Sequence, residues 1–218
     1  MTRRLLIAGA AAAAAIAAGV GTLHDVSACG GLVAPNGAVR LARASTAIGW
    51  HDGVEHYLTS FSYQGNVPDI GWIVPLPAVP DSVVKGGSWS LQRMSREARP
   101  VRQFTDGATA GAALAAGTPA EVLLQTTVDS LDITVIKGSG DAVAEWCAKN
   151  GFTLNTETRD HIIAYAMASP IFLAAKYDTN AARARGFFQG DGTPVLITMH
   201  TPRMWVPLEV LANNGDSL

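Results

Sequence analysis

Two long β-prone runs, residues 39–50 and 54–63, meet at His51-Asp52-Gly53, and this junction constrains the fold more than any other feature of the chain. Asp-Gly between such runs is a strong hairpin signal, because both residues accept the positive φ of a type I′ turn. With Asp52 and Gly53 as the turn, His51 faces Val54, Gly49 faces His56 and Ile48 faces Tyr57. The two-residue period then places Ala44, Ile48, Trp50, Tyr57, Phe61 and Tyr63 on one face, which must be the buried one. Arg43, Ser45, His51, His56, Ser60 and Ser62 fall on the opposite face.

Residues 69–80 read as a third strand that runs out into an extended proline segment. Pro75 and Pro77 cannot donate to a ladder, so the strand end is expected at a sheet edge or leaving the sheet. A helix over 88–99 follows, stopped before Pro100, and 105–118 is small, polar and glycine-rich, as a loop would be. Glu121–Val128 and Leu131–Lys137 read as strands around Asp129-Ser130. Helices are predicted over 142–150, started at a capping Asp141, and over Thr156–Ala168. A strand over 171–177, a short helix over 181–185, a turn at Asp191-Gly192 and strands over Val195–His200 and 205–211 complete the chain. The fold class expected is α+β: a mostly antiparallel or mixed sheet with a few helices packed on it, after an N-terminal signal helix. No internal repeat or long linker divides residues 29–218, so one domain is expected.

Residues 1–28 carry the parts of a secretory signal peptide in order. Arg3 and Arg4 are basic, 5–23 is uncharged and alanine-rich, and Val26-Ser27-Ala28 offers the small residues of a cleavage site. Cys29 becomes the new N-terminus in two readings, ordinary cleavage or lipidation at a relaxed lipobox. His24 and Asp25 favour ordinary cleavage, because they interrupt the approach to a lipobox. An uncleaved anchor is the third reading, the apolar stretch being about the length of a spanning helix. The expected location is extracellular or cell envelope, with membrane association only through a lipidated Cys29 or an uncleaved signal. Removing 1–28 moves the formal charge from −2 to about −3, which argues against nucleic acid as a partner, since phosphate binding draws on excess Lys and Arg. Cys29 and Cys147 are the only cysteines, and pairing is the default in an oxidising compartment. Such a bridge closes a loop worth ~4 kcal/mol in the chain-entropy model. Lipidation of Cys29 would exclude it.

Site candidates are few. His51 and His56 lie diagonally on the exposed hairpin face and are the metal candidates, but zinc catalysis wants three converging ligands and Glu55 falls on the other face. Arg93, Arg96 and Arg99 recur at a spacing of three, a row that suits an anionic polymer or lipid headgroups, and equally a solvated helix face. Trp72, Pro75 and Pro77 mark a second binding-surface candidate, in which residues 77–80 would enter a proline-recognising groove. Gly138-Ser139-Gly140-Asp141 lacks the Lys and Ser/Thr of a phosphate-binding loop. Gly215-Asp216-Ser217-Leu218 spells a hydrolase motif at the wrong end of a domain, and no Gly-x-Ser-x-Gly elbow accompanies His161 or His200. No cofactor motif is present and no catalytic residue is assigned.

Five segments carry a family resemblance: Ala28-Cys29-Gly30-Gly31, His51-Asp52-Gly53-Val54-Glu55, Gly71-Trp72-Ile73-Val74-Pro75-Leu76-Pro77, residues 146–152, and Trp205-Val206-Pro207-Leu208. Together they resemble the bacterial domain-of-unknown-function family numbered 2330. The resemblance implies an exported or membrane-associated envelope protein with no established activity, and chains that often continue past Leu218, in some cases to a hydrophobic tail. It carries over no catalytic residue. The function expected is therefore a non-enzymatic envelope domain that binds a partner protein or polymer through a sheet edge or the proline segment. The alternative is an envelope hydrolase or metal-dependent enzyme using His51 and His56. Intact mass of the protein from its native envelope checks the processing: loss of residues 1–28 and a gain of two hydrogens on reduction are expected, whereas added diacylglyceryl mass would make it a lipoprotein.

Overall fold

The hairpin forms with the register its turn dictates. Asp52 and Gly53 take φ of 48° and 81°, and His51, Gly49 and Ile48 pair with Val54, His56 and Tyr57. In this computed structural model, which describes residues 31–33, 39–97, 119–152, 154, 156–187 and 190–207, the two strands are β2 (Arg40–His51) and β3 (Val54–Gln64). Around them lie β1 (Gly31–Val33), β4 (Asp69–Leu76), β5 (Pro80–Lys85) and α1 (Ser88–Glu97). There follow β6 (Glu121–Val128), β7 (Leu131–Lys137), α2 (Gly140–Lys149), α3 (Thr156–Ala168), β8 (Ile171–Asp178), α4 (Thr179–Ala184) and β9 (Val195–His200).

The strands make two sheets rather than one. A five-stranded sheet has the order β1-β4-β8-β7-β6 and a four-stranded sheet the order β2-β3-β9-β5, with every neighbouring pair antiparallel. Their facing sides share a core: Tyr57, Phe61 and Tyr63 from β3 and Val195, Ile197 and Met199 from β9 meet Trp72, Leu131 and Tyr177 from the other sheet. The Phe61 ring lies 4.9 Å from that of Trp72 and 5.5 Å, edge on, from that of Tyr177. Such aromatic pairs contribute about 0.5–1.5 kcal/mol each beyond their buried area. The fold is α+β, as expected. Sequence pattern alone cannot divide strands between two sheets, because the two-residue period reports which face is buried and not what covers it.

α2 and α3 pack on the far side of the five-stranded sheet, where Val143, Cys147, Phe152 and Ile162 cover Ile73, Ile136, Phe172 and Ala174. That sheet is therefore the middle of three layers, and β4 is buried on both faces from Ile70 through Leu76. Here two expectations need correction. Trp72 is 1% exposed and Pro75 is buried, so the Gly-Trp-Ile-Val-Pro-Leu run is a core strand and not a binding surface. Pro75 pairs with Phe172 inside the sheet, a place it can take because the described ladder on its other side stops at Ile73 opposite Gly31. Pro77 is half-buried, where the chain leaves β4 and crosses to the other sheet, and Pro80 is buried at the start of the edge strand β5.

Other local readings shift with tertiary context. Ser139, not Asp141, caps α2, accepting the amide of Ala142 at 3.3 Å, and Asp141 instead pairs with Arg159 of α3. Trp50, placed on the buried face, is 40% exposed at the hairpin end, its indole N–H donating to the Thr201 carbonyl at 3.2 Å. Residues 201–207 form an irregular strap, and residues 208–211 of the strand expected over 205–211 lie outside the described residues. The signal segment and residues 98–118, including Arg99, lie outside the described residues. No helix among the described residues is long and apolar enough to cross a membrane.

Two glycines set close approaches. A Cβ on Gly140 would lie 2.5 Å from the backbone of Ile163, where α2 meets α3, and one on Gly192 would lie 2.7 Å from the Phe61 ring. Gly140→Ala and Gly192→Ala are each expected to destabilise by about 1–3 kcal/mol, although alanine is ordinarily the better helix residue. Urea denaturation checks this, and a raised midpoint for Gly140→Ala would show that helix propensity outweighs the clash.

Candidate functional site

A cleft of about 500 Å³ opens on the outer face of the four-stranded sheet. The hairpin register supplies its floor, because Ser45 pairs with Ser60 and Arg43 with Ser62 across β2 and β3. α1 lies over these strands, and its spacing of three and four brings Ser88, Leu91, Gln92 and Arg96 to the cleft. Leu91, 7% exposed, is the apolar anchor of that face. The third wall is the connection from α4 to β9, represented by Gly186, Phe187, Asp191, Gly192 and Pro194.

This third wall is tied to the floor by backbone. The Tyr63 amide donates to the Gly190 carbonyl at 2.7 Å and the Gly192 amide to the Phe61 carbonyl at 2.8 Å. The Ser60 hydroxyl donates to the Gly192 carbonyl at 3.3 Å, and from the core the Tyr177 hydroxyl donates to the Asp191 carbonyl at 2.6 Å. Burial, reinforced by the charges of Tyr63, Asp191 and Asp129, pushes the Tyr177 phenol well above its usual range, so it remains a donor at any physiological pH. The wall is thus held from both sides.

The cleft has an uneven charge. Lys85, Arg93, Lys149, Arg159 and Lys176 each pair with a carboxylate. Arg43 and Arg96 line the cleft with no ion pair or hydrogen bond among the described residues. Asp191 is the acidic residue of the lining, and four serine hydroxyls and the Gln92 amide complete its polar surface. Two guanidiniums, one carboxylate and several neutral groups that both donate and accept can hold a polar ligand. Among the described residues no hydrogen bond joins the Asp191 carboxylate to a serine hydroxyl as a base would be joined to its nucleophile.

The sequence candidates disperse. Of the arginine row, Arg96 reaches the cleft, while Arg93 bonds Glu97 at 3.0 Å and lies 5.5 Å from the Trp89 ring centroid. His51 and His56 share the outer sheet face, where His51 meets Asp52 at 3.2 Å and His56 meets the Thr198 hydroxyl at 3.3 Å. Among the described residues no three His, Cys, Asp or Glu side chains gather as metal ligands would. His200 bonds Asp81 at 2.8 Å, a solvent-facing pair that joins no hydroxyl nucleophile among the described residues, and His161 belongs to α3 in the helical layer. Cys147 is fully buried beneath α2, and burial pushes its thiol up to about 12. Cys29 lies outside the described residues.

Glu55 carries a role that sequence pattern hid. It faces the sandwich interior, fully buried, and its Oε2 accepts the Trp205 amide at 2.9 Å and the Thr201 hydroxyl at 3.2 Å, while Oε1 has no partner among the described residues. The carboxyl thereby fastens the 201–207 strap, whose Trp205 ring continues to Tyr165 of α3. Desolvation raises its pKa, against the lowering effect of the two hydrogen bonds. A carboxyl raised in the folded state favours folding most below its ordinary pKa of 4.5 and loses that contribution as pH rises through the raised value. Glu55→Gln keeps an accepting oxygen without charge, so its thermal stability is expected to match wild type in acid and to exceed it increasingly as pH rises. A gap that stays constant with pH would show that ionisation of Glu55 carries no cost.

No curated protein and no solved structure matches the chain. The sequence pattern of a family of uncharacterised proteins conserved in bacteria, DUF2330, matches residues 24–218. Spanning the strap at one end and the hairpin, the β4 core strand and the cleft within it, that match makes this chain a member of the DUF2330 family.

Proposed function

We propose that this chain is an exported cell-envelope domain that works by binding, and that its ligand is a polar molecule or polymer segment seated in the cleft under α1. The observation that carries the reading is the cleft itself: a wall held by backbone on one side, a helix on the other, and between them hydroxyls and two guanidiniums that have no partner among the described residues. Its volume lies within the usual 300–1,000 Å³ range of ligand sites. The alternative, a hydrolase or metal-dependent enzyme using His51 and His56, draws on no convergent set of groups among the described residues.

Export rests on the sequence of residues 1–28. A Cys29–Cys147 bridge belongs to the same reading. Gly31, two residues after Cys29, pairs with Ile73, and Ile73 packs in the apolar cluster that contains Cys147. A lipid on Cys29 would instead hold the domain at a membrane surface.

Ser45→Trp tests the cleft, because it places a large ring on the outward face of the edge strand β2 without entering the core. Fractionated envelope polymers and their fragments would be titrated against wild type and variant. Binding is expected to fall at least about tenfold in the variant, with folding stability changed by no more than about 0.5 kcal/mol. Undiminished binding by the folded variant would move the site elsewhere.

A further inference from the structure

We propose that the cleft recognises a phosphate ester on a polyhydroxylated carrier, with Arg43 and Arg96 gripping the phosphate and Asp191 and the serines receiving the carrier's hydroxyls. This rests on the cleft being the binding site. The first argument is electrostatic. The chain is acidic overall, with a formal charge of −2, yet among the described residues Arg43 and Arg96 converge on one concave surface with no carboxylate partner and no hydrogen bond. Arg183 and Arg185, also without a carboxylate, bond neutral side chains, and Lys137 and Arg203 lie apart from the cleft. A guanidinium pair left without anions over a concave surface favours an anionic ligand, most strongly where the walls displace water.

The second argument is geometric. Arg43 rises from the β2 floor and Arg96 comes from α1, so the anion is approached from two walls. Each guanidinium presents a planar fork that satisfies two oxygens. One fork is enough for a carboxylate, whereas a phosphate ester has further oxygens for the second. The third argument concerns the rest of the lining. Asp191 is an acceptor for a ligand hydroxyl, and Ser45, Ser62 and Ser88 are able to donate or accept, a surface that matches a polyol and not an apolar chain.

The probes are sn-glycerol 3-phosphate, glycerate and glycerol, followed by amide NMR of the protein and by calorimetry. Glycerol 3-phosphate is expected to shift the amides of Ser45, Ser60 and Ser62 and to bind at least about tenfold more tightly than glycerate or glycerol. Arg43→Gln and Arg96→Gln are each expected to weaken it about tenfold or more, while leaving the amide spectrum otherwise folded. Equal binding of glycerol or glycerate at the same amides would overturn the phosphate assignment and leave the cleft as a site. The absence of cleft shifts with every probe would overturn both. Vesicles with and without phosphatidylglycerol separate the sources. Cleft-dependent binding to the anionic vesicles identifies a lipid headgroup, and binding of the soluble phosphate alone identifies a free or polymer-borne ester, each upholding the assignment.

Discussion

The contact of Phe61 with Trp72, ring centroids 4.9 Å apart, is the interaction on which both the fold and the cleft depend. Trp72 belongs to the middle sheet and Phe61 to the outer one, so this pair and the edge contact of Phe61 with Tyr177 hold the sheets face to face. Phe61 also accepts the amide of Gly192 through its own carbonyl and sits against that glycine through its ring. One residue therefore transmits core packing to the cleft wall. Close-packed interiors resist displacement, and a wall seated on such a core is preorganised.

The middle sheet imposes the next constraint. With the four-stranded sheet on one face and α2 and α3 on the other, β4 has no polar side, which is why its sequence runs Ile-Gly-Trp-Ile-Val-Pro-Leu without alternation. Among the described residues the four-stranded sheet is covered on one side by the core and in part by α1 on the other, where polar side chains collect. The division explains where function can reside: outward residues of β2 and β3 are free to vary from the core pattern, and those of β4 are not. Glu55 is the acidic residue on the inner face of β3, tolerated because the strap residues Thr201 and Trp205 hydrogen-bond its carboxyl group.

Much of this was legible in the sequence because it depends on neighbours along the chain. The Asp52-Gly53 turn fixed the β2–β3 register, and that register alone put Arg43, Ser45, Ser60 and Ser62 on one outward face. Strand and helix limits such as Glu121–Val128, Leu131–Lys137 and Thr156–Ala168 followed from local periodicity and breakers. Membership of the family was likewise a matter of sequence pattern. What only the tertiary structure decided is how distant segments meet: two sheets in place of one, Trp72 and Pro75 in the interior, and Arg96 and Asp191 brought over the hairpin serines. The physical reason is that periodicity encodes which side of an element avoids water. The identity of the surface that covers it is set by packing between segments far apart in the chain, and no local pattern records that.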